Sequence, residues 1–222
     1  MPGPLALVGG GEFTPGCSFD EELIAATGAT EVTLLATGWA YENPGRAVEA
    51  ARTWFEAKGL TVREVPVYTR IDALDHDNVA AVSDAKLIYL TGTSAMHLKS
   101  VLKDTPVLEA LLGAWRNGAA LVGSNAGADV LCDPMVDARG GAFTLGLGVA
   151  SGIAAVARSD KWSPDKVRRT IELASPDVVL VEIPERTALI NDALGWRSAG
   201  EGTVSAHRAG RAVALTDLPA ID

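Results

Sequence analysis

The sequence has 222 residues, 48% of them apolar and 21% charged, which is enough for one substantial α/β domain and short for two. Its 28 acidic side chains outnumber its 19 basic ones, and the formal net charge of −9 argues against nucleic acid as a partner, because phosphate binding needs a basic surface. The two cysteines lack metal-site spacing, no apolar run reaches about 20 residues, and no signal-peptide pattern is evident, so we expect a cytoplasmic protein with no metal, no cofactor and no membrane span.

The first half of the chain alternates short apolar runs with amphipathic segments. This alternation is typical of a largely parallel sheet that carries helices on both faces. The predicted strands are 4–8, 31–36, 60–67, 86–90 and 119–122. The predicted helices begin near Ser18 or Asp20, Pro44, Asp75, Ser94 and Pro106.

The first strand runs directly into three consecutive glycines, Gly9, Gly10 and Gly11. Glycines at a strand end let the backbone approach a ligand or a turn of an active-site crevice closely. No helix starts at once and Pro15 interrupts the segment, so it does not match a dinucleotide-binding fingerprint. We therefore predict that Gly10 and Gly11 lie at a pocket.

The pattern changes after residue 128. Glycines recur at 140–141 and 146–152, a short strand is predicted near 153–156 and a helix at 164–174, and strands with turns follow from 178 to 215. The predicted fold is a three-layer α/β sandwich with a mostly parallel sheet, helices on both faces and a C-terminal β-meander. No linker or repeat divides the chain, so residues 1–222 are predicted to form a single domain.

The segment 123–127, Gly-Ser-Asn-Ala-Gly, has the layout of a nucleophile elbow, in which a strand turns sharply into a helix. The middle residue of such a turn is held in a strained conformation above the sheet, and chemistry needs a Ser or Cys there. This chain has Asn125 instead. Asn tolerates positive φ, so we predict a positive φ at Asn125, but its carboxamide is not an ordinary nucleophile.

Four stretches, taken in order, resemble the cyanophycinase and dipeptidase E family of serine peptidases. They are 7–12, 88–92, 123–128 and 183–189. The resemblance implies a class I glutamine amidotransferase-like fold and a pocket near Gly10, Gly11, Gly92, Thr93, Ser124 and Ala126.

The resemblance also indicates which residues stand at the family's catalytic positions. Asn125 replaces the serine, Arg158 stands where the histidine is expected, and Glu185 matches the acid. The loop at 92–94, Gly-Thr-Ser, also differs from the family's usual residues. Because Arg cannot act as a general base and loss of the nucleophile costs on the order of a millionfold in kcat, the degenerate triad is not expected to hydrolyse peptides. We expect an ion pair between Arg158 and Glu185 instead.

Three functional readings remain open. In the first, the chain is a non-catalytic pseudoenzyme that binds a small carboxylate ligand or a peptide end. In the second, it is a peptidase or amidase that acts through a displaced nucleophile, either Ser124 beside the turn or Cys17 in a loop. In the third, it is a scaffold without a ligand. The expected partner is a small molecule or peptide, and a homodimer stays open.

Overall fold

The computed structural model describes residues 2–221. Its strands are β1 (Leu5–Val8), β2 (Glu31–Gly38), β3 (Thr61–Glu64), β4 (Leu87–Gly92), β5 (Ala120–Asn125), β6 (Cys132–Asp133), β7 (Met135–Val136), β8 (Phe143–Thr144), β9 (Ala150–Ser151), β10 (Ile153–Ala157), β11 (Val179–Ile183), β12 (Thr187–Asp192), β13 (Gly195–Gly200), β14 (Ser205–Arg208) and β15 (Arg211–Val213). Its α-helices are α1 (Phe19–Thr27), α2 (Pro44–Glu56), α3 (His76–Ser83), α4 (Ala95–Leu102), α5 (Pro106–Arg116), α6 (Ala126–Leu131) and α7 (Pro164–Leu173). Within residues 2–221 no helix combines the length and apolar character that a membrane crossing requires.

The main sheet has seven strands in the order β13-β12-β1-β5-β4-β2-β3. The five strands from β1 to β3 in that order are parallel to one another, and β12 and β13 are antiparallel additions at one edge. The carboxyl ends of the parallel strands therefore meet along one edge of the sheet, where ligands bind in open α/β folds. The predicted mostly parallel sheet is confirmed.

Both faces of this sheet are covered by helices. Side chains of α1 and α2 pack on one face, and side chains of α3, α4, α5 and α6 pack on the other. All six residues of β4 are consequently buried, as expected for a strand between two helical layers. The predicted three-layer arrangement is confirmed.

The C-terminal strands are present as predicted, but they do not form one continuous meander. The β12–β13 hairpin extends the main sheet, whereas β14 and β15 join β10 and β11 in a second, four-stranded sheet. Helix α7 covers part of this second sheet through Ile171 and its neighbours. The division follows from long-range pairing, because β12 binds β1 and β14 binds β11, and a local strand-and-turn pattern does not specify these partners.

Candidate functional site

The strand-to-helix turn at Asn125 forms one wall of a crevice above the main sheet. Asn125 ends β5 and precedes α6 with φ 53° and ψ −116°, a combination that non-glycine residues rarely adopt. Its side chain makes no capping hydrogen bond to the first turn of α6. The positive φ predicted for this residue is confirmed.

The two glycines that flank Asn125 allow this turn to pack tightly. A Cβ at Gly123 would collide with the carbonyl oxygen of Gly127, and a Cβ at Gly127 would collide with the carbonyl oxygen of Leu90 in β4. Helix α6 can therefore lie directly against the ends of β4 and β5 only because both residues lack side chains.

Arg158 and Glu185 form an ion pair beside the turn. The Arg158 Nε atom lies 2.9 Å from Oε1 of Glu185, and Nζ of Lys161 lies 3.1 Å from Oε2 of the same carboxylate. The Glu185 side chain is 19% exposed and the Arg158 side chain 43%, so the pair is half solvated. The backbone N–H of Glu185 donates to Asp160 Oδ1 at 2.8 Å, which fixes the position of the acid. The predicted contact between Arg158 and Glu185 is confirmed.

Gly10 and Gly11 lie between the turn and this ion pair. A Cβ at Gly10 would be 3.0 Å from Cγ of Arg158 and 3.4 Å from Cβ of Asn125, so both side chains flank this glycine. A Cβ at Gly11 would be 3.3 Å from Cβ of Glu185. The φ values of the two glycines, 95° and 66°, lie in the region that favours glycine. The glycine segment therefore brings the three residues of the candidate site together.

A cavity of about 340 Å³ opens beside these residues. Its polar lining comes from Thr93, Asn125, Asp129, Arg158, Lys161 and Lys166. Sequence reasoning missed Asp129, although one signal was available, because Asp129 follows Asn125 by about one helical turn and shares its face of α6.

Asp129 supplies the carboxyl group that lines this cavity. Its side chain is partly exposed to the cavity but is otherwise surrounded by protein atoms. This burial raises the pKa of Asp129 to about 7. The N–H of Ala157, which donates to Oδ1 at 3.2 Å, and the charge of Lys166 lower the pKa in part. The group can therefore gain or lose a proton near neutral pH.

Lys166 and Trp162 also line the cavity. The Nζ atom of Lys166 lies 3.3 Å from the centre of the Trp162 ring and donates to the carbonyl oxygen of Ala138 at 2.7 Å. Burial lowers the pKa of Lys166, while the neighbouring Asp137 and Asp129 carboxylates raise it. Together with Arg158 and Lys161, this ammonium makes the cavity rich in cationic groups.

Three residues predicted for the pocket lie beneath it rather than in its lining. Ser124 is fully buried and Ala126 is 2% exposed. Gly92 packs directly against the backbone of Gly38. Consecutive residues of a strand face opposite sides of the sheet, so Ser124 points away from the crevice that Asn125 faces. Of the predicted loop, Thr93 alone reaches the cavity wall.

The other candidate nucleophiles are also inaccessible. Oγ of Ser124 donates to Oε2 of Glu12 at 2.9 Å in the buried layer. Cys17 is fully buried, and this burial raises the pKa of its thiol to about 11. Burial likewise raises the pKa of Cys132. Residues 2–221 contain no cluster of three or more His, Cys, Asp or Glu side chains that could hold a metal ion.

This fold and this site define a peptidase-like α/β protein with a crevice at the carboxyl ends of its parallel strands. The model of peptidase family S51 matches residues 5–141, which is more than half of the chain. The chain belongs to peptidase family S51, and the resemblance seen in its motifs is confirmed.

Two solved structures are similar over nearly the whole chain. The crystal structure of a peptidase from an acI-B1 Actinobacterium is 27% identical, with a TM-score of 0.83, and the match covers 96% of this chain and 97% of that one. A putative peptidase E protein from Listeria monocytogenes EGD-e is 16% identical, with a TM-score of 0.67 and coverage of 91% and 100%, and this likeness concerns the fold alone. Among curated proteins no match was found.

Proposed function

We propose that this member of peptidase family S51 binds a small carboxylate ligand or a peptide end at the crevice and does not hydrolyse it. The observation that carries the proposal is the 2.9 Å ion pair between Arg158 and Glu185 beside Asn125. In a working triad the acid orients a neutral imidazole, which takes a proton from the nucleophile. Here the acid holds a guanidinium, which is permanently protonated and cannot take that proton.

The surroundings of Asn125 also argue against hydrolysis. The backbone N–H groups of Thr93 and Ser94 both donate to the carbonyl oxygen of Gly38, at 3.1 and 3.2 Å. These two N–H groups are therefore engaged within the protein, and neither is free to act as an oxyanion-hole donor. Ser124 faces away from the crevice, and its hydroxyl is engaged with Glu12. The cavity lining contains no thiol and no imidazole, and its groups are suited to binding.

The chemistry of the lining favours a carboxylate. Arg158, Lys161 and Lys166 contribute three cations to the cavity lining, and Asp129 contributes one carboxyl group. The Glu185 carboxylate offsets part of the charge of Arg158 and Lys161, so the lining keeps an excess of positive charge. The Nε–H of Arg158 donates to Glu185. The remaining N–H groups of the planar guanidinium match the geometry of a carboxylate ligand. The carboxamide of Asn125 adds a neutral hydrogen-bond donor beside this guanidinium.

Isothermal titration calorimetry tests the proposal. The probes are succinate, free amino acids and unblocked dipeptides, each compared with the corresponding amide. We expect at least one carboxylate to bind, its amide to bind at least about tenfold more weakly, and Arg158→Gln to weaken carboxylate binding by a similar factor.

Arg52→Gln is the matched control, because Arg52 pairs with Glu49 on the exposed surface of α2, away from the crevice. Binding in this variant should equal that of the wild type. Equal binding of a carboxylate to the wild type and to Arg158→Gln, or no carboxylate binding across the panel, would contradict the proposal.

A further inference from the structure

The backbone at Asn125 brings its side chain next to the following peptide nitrogen. In an L-residue, Cβ is rotated by about 120° from the residue's own nitrogen around the Cα–C bond, so a ψ of about −120° eclipses Cβ with the nitrogen of the next residue. Asn125 has a ψ of −116°. Rotation about the Cα–Cβ bond is then the one motion still needed to bring Cγ onto the Ala126 nitrogen.

The two reacting groups are also free of competing contacts within the turn. The Asn125 side chain accepts no capping hydrogen bond from α6. Ala126 is the first residue of α6, and the N–H of a first helical residue has no partner within its helix. Asn125 lines the 340 Å³ cavity, so water can reach the carboxamide.

We propose that Asn125 is a site of spontaneous deamidation, in which the turn holds the carboxamide ready for attack by the Ala126 nitrogen. This nitrogen gives its proton to solvent and forms a bond to Cγ, the amide nitrogen takes up a proton from solvent as its bond to Cγ breaks, and it leaves as ammonia. The product is a five-membered cyclic imide. Water then adds to either imide carbonyl and opens the ring to aspartate or isoaspartate at position 125. No oxidant or reductant takes part.

The crevice favours the charged product. Deamidation replaces a neutral amide with a carboxylate, and the Arg158 side chain lies next to the same glycine, Gly10, as the Asn125 side chain. A neighbouring guanidinium stabilises a carboxylate over a neutral amide. In this reaction Asn125, which is no nucleophile, supplies the electrophile through its Cγ atom.

The chain contains an internal control in Asn117, which is followed by Gly118. In an unfolded chain this pair should react faster than Asn125 with Ala126, because glycine has no side chain to shield its nitrogen. In the folded protein Asn117 has a ψ of 11°, which turns its Cβ far from the Gly118 nitrogen. Folding should therefore reverse the order of reactivity.

Both residues can be followed by tandem mass spectrometry. The protein is incubated in mildly alkaline buffer made with heavy-oxygen water, once folded and once in guanidinium chloride, and each hydrolysed imide gains a heavy oxygen. In the folded protein we expect Asn125 to react at least about tenfold faster than Asn117, as is typical for groups held near the attack geometry. In denaturant we expect Asn117 to react faster than Asn125.

Two variants complete the experiment. Asn117→Gln should leave the Asn125 rate unchanged, and Asn125→Gln should remove the signal at position 125, with circular dichroism confirming that each variant is folded. A folded protein in which Asn125 reacts no faster than Asn117, or no faster than Asn125 in denaturant, would overturn the proposal.

Discussion

Ser124 and Asn125 are neighbours in the chain, but their side chains belong to two different regions of the molecule. Ser124 faces the layer of α1 and α2, where its hydroxyl and that of Thr91 both donate to the carboxylate of Glu12. Asn125 faces the crevice on the other side of the sheet, where Arg158 and Glu185 form their ion pair. The two regions differ in the partners of their charged groups.

On the buried side, each acidic group is matched by neutral donors. Asp20 is 1% exposed, and its oxygens accept from the hydroxyl of Tyr89 and from Nε1 of Trp54, the latter at 2.7 Å. Burial raises the pKa of Asp20 to about 6 even though these two donors lower it. Such a group stabilises the fold only while its donors are in place.

On the crevice side, the charges pair with one another and stay partly in water. Arg158 is 43% exposed and Lys161 is 51% exposed, and both contact Glu185. Half-exposed ion pairs of this kind contribute little to stability, because solvent screens them. The buried network therefore holds the strands in place, while the crevice charges remain available to a ligand.

The largest expected effect on stability concerns Gly127, which packs against β4 at the turn after Asn125. Gly127→Ala puts a methyl group into the carbonyl oxygen of Leu90, so we expect a loss of about 3 kcal/mol in the free energy of unfolding, measured by urea titration. The matched control is Gly113→Ala in α5, where a Cβ meets nothing within 4 Å. This variant should gain about 0.5–1 kcal/mol from helix propensity. A tolerated Gly127→Ala would contradict the packing described for the turn.

The next effect tests the buried network. Tyr89→Phe removes one donor to the Asp20 carboxylate and should cost about 2 kcal/mol at neutral pH. Tyr41→Phe serves as the control, since Tyr41 is 82% exposed, and should change stability by less than about 0.5 kcal/mol. Equal stabilities for the two variants would show that the hydroxyl of Tyr89 does not hold Asp20.

The third effect is a dependence of stability on pH. The folded pKa of Asp20, about 6, is raised above its usual value of 3.8, so its stabilising contribution is complete below about 3.8 and is lost as the pH rises through about 6. The contribution of Asp129 to stability is likewise lost as the pH rises through its folded pKa of about 7. We expect the free energy of unfolding to fall by about 1 kcal/mol or more from about pH 5 to about pH 7.

Asp20→Asn removes one of the two titrating groups and should flatten this slope, whatever its effect on absolute stability. Asp137, whose pKa is lowered to about 2 chiefly by its hydrogen bonds with Arg139, acts with the opposite sign and only below about pH 4. A slope that is unchanged by Asp20→Asn would assign the pH dependence to other groups.

The smallest effect belongs to the crevice. Arg158→Gln should change the free energy of unfolding by less than about 1 kcal/mol, because the lost pair is half exposed and Lys161 still lies 3.1 Å from Glu185. Thermal and urea unfolding of this variant provide the measurement. A loss as large as that of Tyr89→Phe would erase the difference between the two regions.

The features that could be predicted from the sequence are those with local causes. Gly123 and Gly127 at four-residue spacing, with a residue tolerant of positive φ between them, predict the sharp turn wherever the strand lies in the sheet. The contact between Arg158 and Glu185 was predicted from motif positions that the family resemblance supplied. The mostly parallel sheet followed from the alternation of apolar strands and amphipathic helices.

The features that were missed depend on distant partners. Glu12 meets Ser124 across 112 residues of sequence, and no local pattern specifies that contact. The assignment of β12 and β14 to different sheets likewise depends on pairing with β1 and β11. Asp129 was also missed, although its position one turn after Asn125, on the same helix face, was visible in the sequence.

Whether the crevice is catalytic is tested by the hydrolysis of unblocked dipeptides by the wild-type protein, measured as release of free amino groups. With Asn125 at the turn and Arg158 bound to Glu185, we expect a rate equal to that of buffer alone and equal to that of Asn125→Ala. A rate above buffer that is lost on Ser124→Ala, Cys17→Ala or Asn125→Ala would contradict this expectation.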